Sequence, residues 1–333
     1  EGIEELRRRV SDAAVDLLGM PPDEIVIAPP GTVLKTSSGK IRRAACKEIY
    51  EQGRIGKPGR AVWLQVTRLA LAGLLPQARR LLRQVADNLY ACWSWTVYGL
   101  LCLPVWPLVV LLPGRETRWR VTRFGAWLLT LLTGTRVEVE GTENIPRDRP
   151  VVIVANHMSY LDAYLVQAVL PIPCGFIAKA ELARKPLVRI PLARLGAIMV
   201  ERFDRERISG DAERITRLAG LGRNLFFFPE GTFQRMPGLL PFRMGAFLTA
   251  AQGGVPVVPL TIRGTRSKLR AGSWFPRRGP VSVVIGRPVP PDGNDWAAAI
   301  RLREKARREI LRHLGEPDLA DAFTPFADLD KPA

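Results

Sequence analysis

The sequence predicts a layered α/β domain, with a mostly parallel or mixed sheet flanked by helices, behind an N-terminal hydrophobic helical segment. Seven short apolar segments lie between residues 136 and 285, and they have the length and composition of buried strands. Helical patterns separate most of them, which is typical of a sheet covered by helices. A long uncharged stretch precedes them and supplies the hydrophobic segment.

Residues 1–56 form the first of four regions that differ in composition. Apolar residues recur at helical spacing from Glu4 to Leu18, and Asp23–Ile27 is a short strand candidate. A Ser- and Gly-rich loop at residues 36–39 follows, and a basic helix is expected after it.

Residues 57–135 are the most hydrophobic region, and we expect them to dock on a membrane. The stretch from Asn88 to Gly114 carries no charged side chain and exceeds the ~20 apolar residues that a spanning helix needs. Pro104 and Pro107 interrupt it, so a kinked or re-entrant helix pair fits at least as well as a single span. Tryptophan within the stretch and arginine directly after it favour a membrane interface, and a buried helical hairpin in a soluble core is the alternative.

Residues 136–316 make up the α/β domain, and residues 317–333 are expected to form a loose C-terminal tail. The strand candidates, in chain order, are Arg136–Glu140, Val151–Val154, Gly175–Ala178, Gly196–Val200, Asn224–Phe228, Val255–Ile262 and Val281–Ile285. The predicted helices include Leu161–Leu170, Arg243–Gln252 and a basic amphipathic helix from Trp296 to His313.

The charge and the rare residue types limit the classes of function. The chain has 49 basic and 32 acidic residues, a formal net charge of +17, which predicts an anionic partner such as anionic lipid or a phosphorylated substrate. The basic residues are scattered, and no zinc-finger spacing or RNA-reading aromatic motif accompanies them, so we expect no nucleic acid partner. With two histidines, and four cysteines of which none form a CxxC pair, we expect no metal site and a reducing compartment.

The first candidate for chemistry is a histidine that follows an apolar strand in the segment Asn156–Asp162. Histidine is a natural general base near neutral pH, and α/β folds place functional side chains at strand ends. If a helix starts after His157 with Ser159 as its N-cap, Asp162 falls in the first turn and can bond one ring nitrogen of His157. The other nitrogen then stays free to take a proton. A capping role for Asp162 and a purely structural histidine are the alternatives.

Further polar side chains follow other predicted strands. A Phe-rich strand runs into a Pro-Glu-Gly turn, where Glu230 and Thr232 offer an acceptor and a hydroxyl and Gly231 permits close approach of a ligand. Arg202 and Lys179 each lie just past a strand, where arginine can clamp a phosphate bidentately. The alternatives are an ordinary strand-ending turn and solvated cations.

Taken in chain order, these segments resemble the glycerolipid acyltransferase family, which includes the 1-acyl-glycerol-3-phosphate acyltransferases. The order is His-x4-Asp, Lys-Ala-Glu-Leu, Gly-x-Ile-x-Val-x-Arg, Phe-Pro-Glu-Gly-Thr and Val-Pro-Val-Val-Pro, and the match covers roughly residues 90–315. The stretch from Leu240 to Ala246 also looks like the family's segment after Glu-Gly-Thr. Phe233 departs from the pattern, because many members carry Arg or Ser there, and this departure concerns the contacts to the acceptor headgroup.

The resemblance implies transfer of a fatty acyl group from acyl-CoA or acyl-carrier protein to the hydroxyl of a lysophospholipid such as 1-acyl-glycerol-3-phosphate, in phospholipid biosynthesis or remodelling. It implies no cofactor, and we expect the protein at the cytoplasmic face of a membrane. A non-catalytic basic module that binds membranes or lipids is the alternative. The implied residue roles are catalysis by His157 and Asp162, and substrate binding by Glu230, Gly231, Thr232, Arg202 and Lys179.

Residues 1–56 resemble a different family, the C-terminal end of an acyl-adenylate-forming ligase (an AMP-binding acyl-CoA synthetase or fatty acyl-AMP ligase). The match is the segment from Lys35 to Arg43, close to that family's last motif, and Lys40 matches the lysine that the family uses in adenylation. Because the nucleotide-binding body is missing from this sequence, we expect no ligase activity from it. The resemblance implies an upstream ligase domain in a longer parent chain, which could supply activated acyl groups.

Overall fold

The structure is a computed structural model that describes residues 2–30, 32–36, 39–53, 55, 60–200 and 205–320. The chain divides into two compact units, Glu1–Leu81 and Leu82–Ala333. The domain boundaries predicted from composition stay predictions.

Helices occur throughout the described part of the chain. In chain order they are α1 (Gly2–Leu18), α2 (Arg43–Glu51), α3 (Arg60–Leu111), α4 (Arg115–Leu132), α5 (Asp162–Val169), α6 (Pro186–Leu195), α7 (Arg205–Gly220), α8 (Gly245–Gly253), α9 (Thr265–Lys268) and α10 (Trp296–Leu314).

The strands all lie in the second unit. They are β1 (Val137–Glu140), β2 (Val152–Ala155), β3 (Gly175–Lys179), β4 (Ile198–Val200), β5 (Leu225–Phe227), β6 (Val257–Arg263) and β7 (Val281–Ile285). They form one seven-stranded sheet in the order β1-β7-β6-β2-β5-β3-β4. β6 and β7 pair antiparallel and every other neighbouring pair is parallel, so the sheet is mixed and the predicted fold class is confirmed.

The central strand β2 separates two hydrophobic cores. Successive side chains of a strand point to opposite faces of the sheet. Val152 and Val154 join a core that includes side chains of α8 and α10, and Ile153 and Ala155 join one that includes side chains of α4 and α5. Burial on both faces explains why this segment reads as a continuous apolar run rather than an alternating one.

The hydrophobic segment ends in a helix pair, α3 and α4, but the two prolines do not separate them. α3 continues through Pro104 and Pro107 to Leu111, and the connection to α4 lies at residues 112–114. A proline inside a helix removes one hydrogen bond, and such losses are tolerated in membrane helices. A hydrogen bond also joins α3 to the C-terminal end of α4: Nε1 of Trp93 in α3 donates to the carbonyl of Leu132 at 2.9 Å.

Two predictions about local structure were wrong. Asp23–Ile27 is irregular rather than a strand, because no strand in the described residues pairs with it and a lone strand leaves its backbone groups unsatisfied. Residues 317–320 are not loose: the amide of Leu319 donates to the carbonyl of Leu239 at 3.0 Å, and Asp318 pairs with Arg307. Residues 321–333 lie outside the described part.

Candidate active site

Parallel strands bring most of the predicted site residues to one edge of the sheet. β2, β5, β3 and β4 run parallel, so their carboxyl ends meet at the same edge. His157 follows β2, Glu230 follows β5, and Lys179 ends β3. Arg202, predicted to follow β4, lies outside the described residues.

A buried asparagine completes the sheet just before the histidine. The side chain of Asn156 donates to the carbonyl of Ile262 at 3.0 Å and accepts from the amide of Ile262 at 2.7 Å. These two bonds extend the pairing of β2 with β6 through a side chain. The backbone of the next residue, His157, is therefore released from the sheet at a fixed point.

His157 and Asp162 form the contact that their spacing predicts. Nδ1 of His157 lies 2.8 Å from Oδ2 of Asp162, which is fully buried. The same Oδ2 accepts from the amides of Met158 at 2.6 Å and Ser159 at 2.9 Å. Because these amides fix the carboxylate, it orients the imidazole with Nδ1 as the donor. Nε2 has no hydrogen-bond partner in the described part of the chain, and the His157 side chain keeps 18% of its surface exposed.

The helix start differs from the prediction. α5 begins at Asp162 itself and its N-cap residue is Leu161, so Ser159 is not the N-cap. The Ser159 hydroxyl instead donates to the carbonyl of Leu269 at 2.7 Å, which fixes the loop between β2 and α5 to the segment after α9.

Aromatic rings surround the imidazole. Phe228 stacks on it with ring centroids 4.1 Å apart and an interplanar angle of 17°, and Phe233 meets it at 4.4 Å. From Phe233 the contacts continue to Tyr160 at 4.8 Å, to Trp274 at 5.7 Å and to Trp95 of α3 at 5.9 Å. We call Phe233, Tyr160, Trp274 and Trp95 the aromatic wall.

The aromatic wall was not predicted. Its members lie far apart in sequence, and only Phe233 stood out, as a departure from a family pattern. An indole hydrogen bond secures the wall to α3, because Nε1 of Trp95 donates to the carbonyl of Trp274 at 2.8 Å.

Glu230 lies beneath the site rather than in it. Its Oε1 accepts from the amide of His157 at 2.6 Å, and its Oε2 accepts from the amide of Leu240 at 2.9 Å. The residue is only 5% exposed, and this burial raises the pKa of its carboxyl to about 7, although the two amides act in the opposite direction. Because backbone amides occupy both oxygens, the geometry favours a positioning role over the predicted contact with a substrate.

The turn after Glu230 is closely covered by an arginine. Gly231 has φ +70°, and a Cβ at this position would lie 3.0 Å from Nε of Arg243. The Arg243 amide donates to the carbonyl of Pro229 at 2.9 Å, which ties the residue to the same turn. Thr232 is exposed beside it. The side chain of Arg243 thus approaches Gly231 closely in this structure.

Two arginines that sequence reasoning missed, the partly buried Arg266 and the buried Arg307, hold the loop after this turn. Arg266 donates to the carbonyl of Gln234 at 2.6 Å and pairs with Glu316 at 2.8 Å. Arg307 of α10 donates to the carbonyl of Leu240 at 2.6 Å. Neither arginine belongs to a recognisable spacing, so no signal in the sequence marks them.

Comparison with known proteins agrees with this geometry. The acyltransferase family model matches residues 136–263. A 1-acyl-sn-glycerol-3-phosphate acyltransferase of Chlamydomonas reinhardtii is 31% identical over 258 residues, which are 76% of this chain and 76% of that protein. A chloroplastic 1-acyl-sn-glycerol-3-phosphate acyltransferase of Brassica napus is 36% identical over 156 residues, which are 46% of this chain and 45% of that protein.

A solved structure shares the fold. The crystal structure of the 1-acyl-sn-glycerophosphate acyltransferase of Thermotoga maritima matches with a TM-score of 0.60 and 26% sequence identity, over 69% of this chain and 95% of that chain. The breadth of these matches, together with the sheet and the His157–Asp162 contact at its edge, shows that the chain belongs to the acyltransferase family.

Proposed function

We propose that the protein transfers a fatty acyl group from acyl-CoA or acyl-carrier protein to the hydroxyl of a lysophospholipid such as 1-acyl-glycerol-3-phosphate. The observation that carries the proposal is the imidazole of His157, held through Nδ1 by a buried carboxylate while Nε2 has no partner among the described residues. The names of its relatives describe acyltransferases that act on this type of acceptor.

The arrangement supports direct transfer by general base catalysis. Nε2 of His157 removes the proton from the acceptor hydroxyl as its oxygen attacks the thioester carbonyl, and Asp162 stabilises the imidazolium that forms. The new C–O ester bond forms, the C–S bond breaks, and the proton passes from the imidazolium to the departing thiolate. A thioester is already activated, so this route uses no covalent enzyme intermediate and no cofactor.

Substrate contacts are proposed at the same edge of the sheet. Lys179 and Thr232 are exposed there and offer an ammonium group and a hydroxyl to the acceptor. Arg202 is proposed as a phosphate contact on the strength of its motif alone. Glu230 contributes by fixing the amide of His157, and Gly231 by leaving room for Arg243.

We also propose that α3 and α4 attach the protein to the cytoplasmic face of a membrane. Within the described residues, the part of α3 from Pro76 to Leu111 is long and apolar enough to cross a bilayer, and only 11% of its most apolar window is buried. Such low burial distinguishes it from a core helix of a soluble protein. Exposed apolar side chains continue on α4, including Phe124 and Leu131.

The function is tested with purified protein in detergent, offered a panel of lysolipids with acyl-CoA and with acyl-carrier protein. We expect His157→Ala to lower turnover by roughly 10²–10⁴-fold, because the general base is lost. Asp162→Asn should lower kcat as well, and His313→Ala, which changes the only other histidine, should keep wild-type turnover. Undiminished acyl transfer by His157→Ala would show that His157 is not the base. Lipid binding without any acyl transfer by the wild type would favour the non-catalytic lipid-binding module instead.

Residues 1–56 are proposed to be the end of an adenylate-forming ligase, with the ligase body upstream in a longer chain. In the structure, Lys35 bridges Ile41, and the amide of Thr36 donates to the carbonyl of Lys40 at 2.8 Å, so the described residues 35–36 pair with residues 40–41 before α2. In a longer chain, we expect fatty-acid-dependent exchange of ATP with pyrophosphate, and Lys40→Ala should reduce it. Exchange that is indifferent to this substitution would argue against the assignment.

A further inference from the structure

The side chain at position 233 gives the acceptor no cation. The Phe233 ring contacts the imidazole of His157 at 4.4 Å and the ring of Tyr160 at 4.8 Å, so it lines the site with an apolar surface. A phosphate that is desolvated against aromatic rings loses its hydration without gaining a partner, which is costly. A phosphorylated acceptor therefore needs a cation from elsewhere near the Glu230-Gly231-Thr232 turn.

Arg243 supplies a guanidinium at this turn. Its Nε would lie 3.0 Å from a Cβ at Gly231, and its amide is tied to Pro229, so both its side chain and its backbone are placed by the turn itself. The residue is exposed, and its guanidinium has no hydrogen-bond or ion-pair partner in the described part of the chain.

Among the described residues, the other arginines around the turn are engaged or lie farther along the loop. Arg266 is occupied by Gln234, Met236 and Glu316, and Arg307 by Leu239, Leu240 and Asp318. Arg235 is exposed as well and has no partner among the residues that the structure describes, and it follows Phe233 on the loop that Arg266 holds. It offers a matched control, because it differs from Arg243 in that no contact places it against the turn.

We propose that Arg243 binds the phosphate of the acceptor and takes the place of the cation that position 233 lacks. The proposal rests on the proposed function and names a residue, in addition to Arg202, that selects phosphorylated acceptors. The planar guanidinium can bind two phosphate oxygens at once, as a lysine cannot. The acceptor then lies with its phosphate on the Gly231 side of His157 and its apolar part against the aromatic wall.

The test compares a phosphorylated acceptor with a neutral one. Acyl transfer to 1-acyl-glycerol-3-phosphate and to monoacylglycerol is measured in mixed micelles for wild type, Arg243→Gln, Arg243→Lys and Arg235→Gln. We expect Arg243→Gln to raise KM for the phosphorylated acceptor roughly ten- to hundred-fold, with kcat little changed and monoacylglycerol unaffected. Arg243→Lys should fall between Arg243→Gln and wild type, and Arg235→Gln should match wild type.

A second variant tests the replacement directly. Adding Phe233→Arg to Arg243→Gln should lower KM for the phosphorylated acceptor again, because the cation returns at the neighbouring position. Unchanged KM in Arg243→Gln, or an equal rise for monoacylglycerol, would overturn the proposal.

Binding separates this proposal from the proposed function. The dissociation constant of 1-acyl-glycerol-3-phosphate is measured in the His157→Ala background, with and without Arg243→Gln. Weaker binding with Arg243→Gln supports the role of Arg243 whatever the reaction, and equal binding contradicts it. Absence of acyl transfer by the wild type, in contrast, counts against the proposed function alone.

Discussion

The carboxyl group of Glu230 links His157 to the C-terminal helix. Arg307 of α10 binds the carbonyl of Leu240, the amide of Leu240 binds one oxygen of Glu230, and the other oxygen binds the amide of His157. A charged carboxylate accepts both amides well, but its burial opposes ionisation and raises the pKa to about 7. The position of His157 is thus tied to a group that titrates near neutral pH.

This titration predicts how stability depends on pH. The Glu230 carboxyl has a pKa of 4.5 in the unfolded chain and of about 7 in the folded protein. Between these two pH values the folded protein keeps a proton that the unfolded chain has lost. The contribution of Glu230 to the free energy of unfolding is therefore largest below pH 4.5. This contribution falls by about 3 kcal/mol as the pH rises from 4.5 to 7. Thermal midpoints of wild type and Glu230→Gln across this range measure the effect.

The variant gives the control for that prediction. Glu230→Gln removes the titration, so its midpoint should change less with pH between 4.5 and 7 than that of the wild type. It should also cost about 1–3 kcal/mol throughout, because an amide NH₂ replaces an acceptor opposite a buried N–H. Parallel pH profiles for the two proteins would show that Glu230 does not titrate in this range.

At the residue scale, the sequence predicts contacts between residues that are close in sequence better than contacts between distant segments. The spacing of His157 and Asp162 sufficed, because a histidine just after a strand and an aspartate five residues later at a helix start have few possible geometries. The roles of Glu230 and Arg243 could not be predicted, because they depend on which backbone amides and which glycine lie opposite. Those partners come from distant segments that only the folded sheet brings together.

At the scale of elements, burial made the strands predictable, whereas the ends of helices depended on single residues. Each of the seven predicted strands of the sheet is present, because strands buried on both faces leave apolar runs in the sequence. β4 begins later than predicted, at Ile198, because Gly196 is the left-handed C-cap of α6 with φ +83°. Pro104 and Pro107 predicted an interruption of the hydrophobic segment, but α3 continues through both. Whether a proline breaks a helix depends on the surroundings of that helix, which the sequence does not show.

Gly125 lets α3 and α4 approach closely. We therefore expect alanine substitutions at Gly125 and at Gly99 to have opposite effects on stability. A Cβ at Gly125 would lie 2.9 Å from Cγ2 of Val105, whereas a Cβ at Gly99 in α3 would meet nothing within 4 Å. Because β-branched Val105 has little freedom to rotate away, Gly125→Ala should destabilise the protein by about 1 kcal/mol after its helix propensity is counted. Gly99→Ala should stabilise it by about 0.5–1 kcal/mol.

Thermal unfolding in detergent measures both glycine variants. A lower midpoint for Gly125→Ala beside a higher one for Gly99→Ala is expected. Equal shifts in the two variants would mean that helix propensity alone decides and that α3 and α4 do not pack tightly at Val105.

At the scale of the whole molecule, apolar surface and positive charge favour the same partner. Large apolar side chains on α3 and α4 are exposed, and the chain carries a net charge of +17. Anionic lipid bilayers attract such a combination through burial of the apolar side chains and attraction to the headgroups. Composition predicted this partner, and the structure adds which side chains face outward.

Substitution of two similarly exposed leucines distinguishes docking through α3 from nonspecific adsorption to vesicles. Leu103 on α3 is 71% exposed, and Leu221 after α7 is 73% exposed. We expect Leu103→Glu to reduce co-sedimentation with anionic vesicles, because a charge placed among lipid tails costs up to about 3 kcal/mol. Leu221→Glu should sediment like the wild type, and equal losses in both variants would contradict docking through α3.

The aromatic wall also determines where the working enzyme begins. The sheet carries His157, Asp162 and the turn at Glu230, so a piece cut before β1 would keep these residues. It would lack Trp95, and with it the far end of the row of ring contacts that leads away from the imidazole. We therefore expect the smallest competent fragment to include the second half of α3, so the helix that we propose to meet the lipid also carries one end of the aromatic wall.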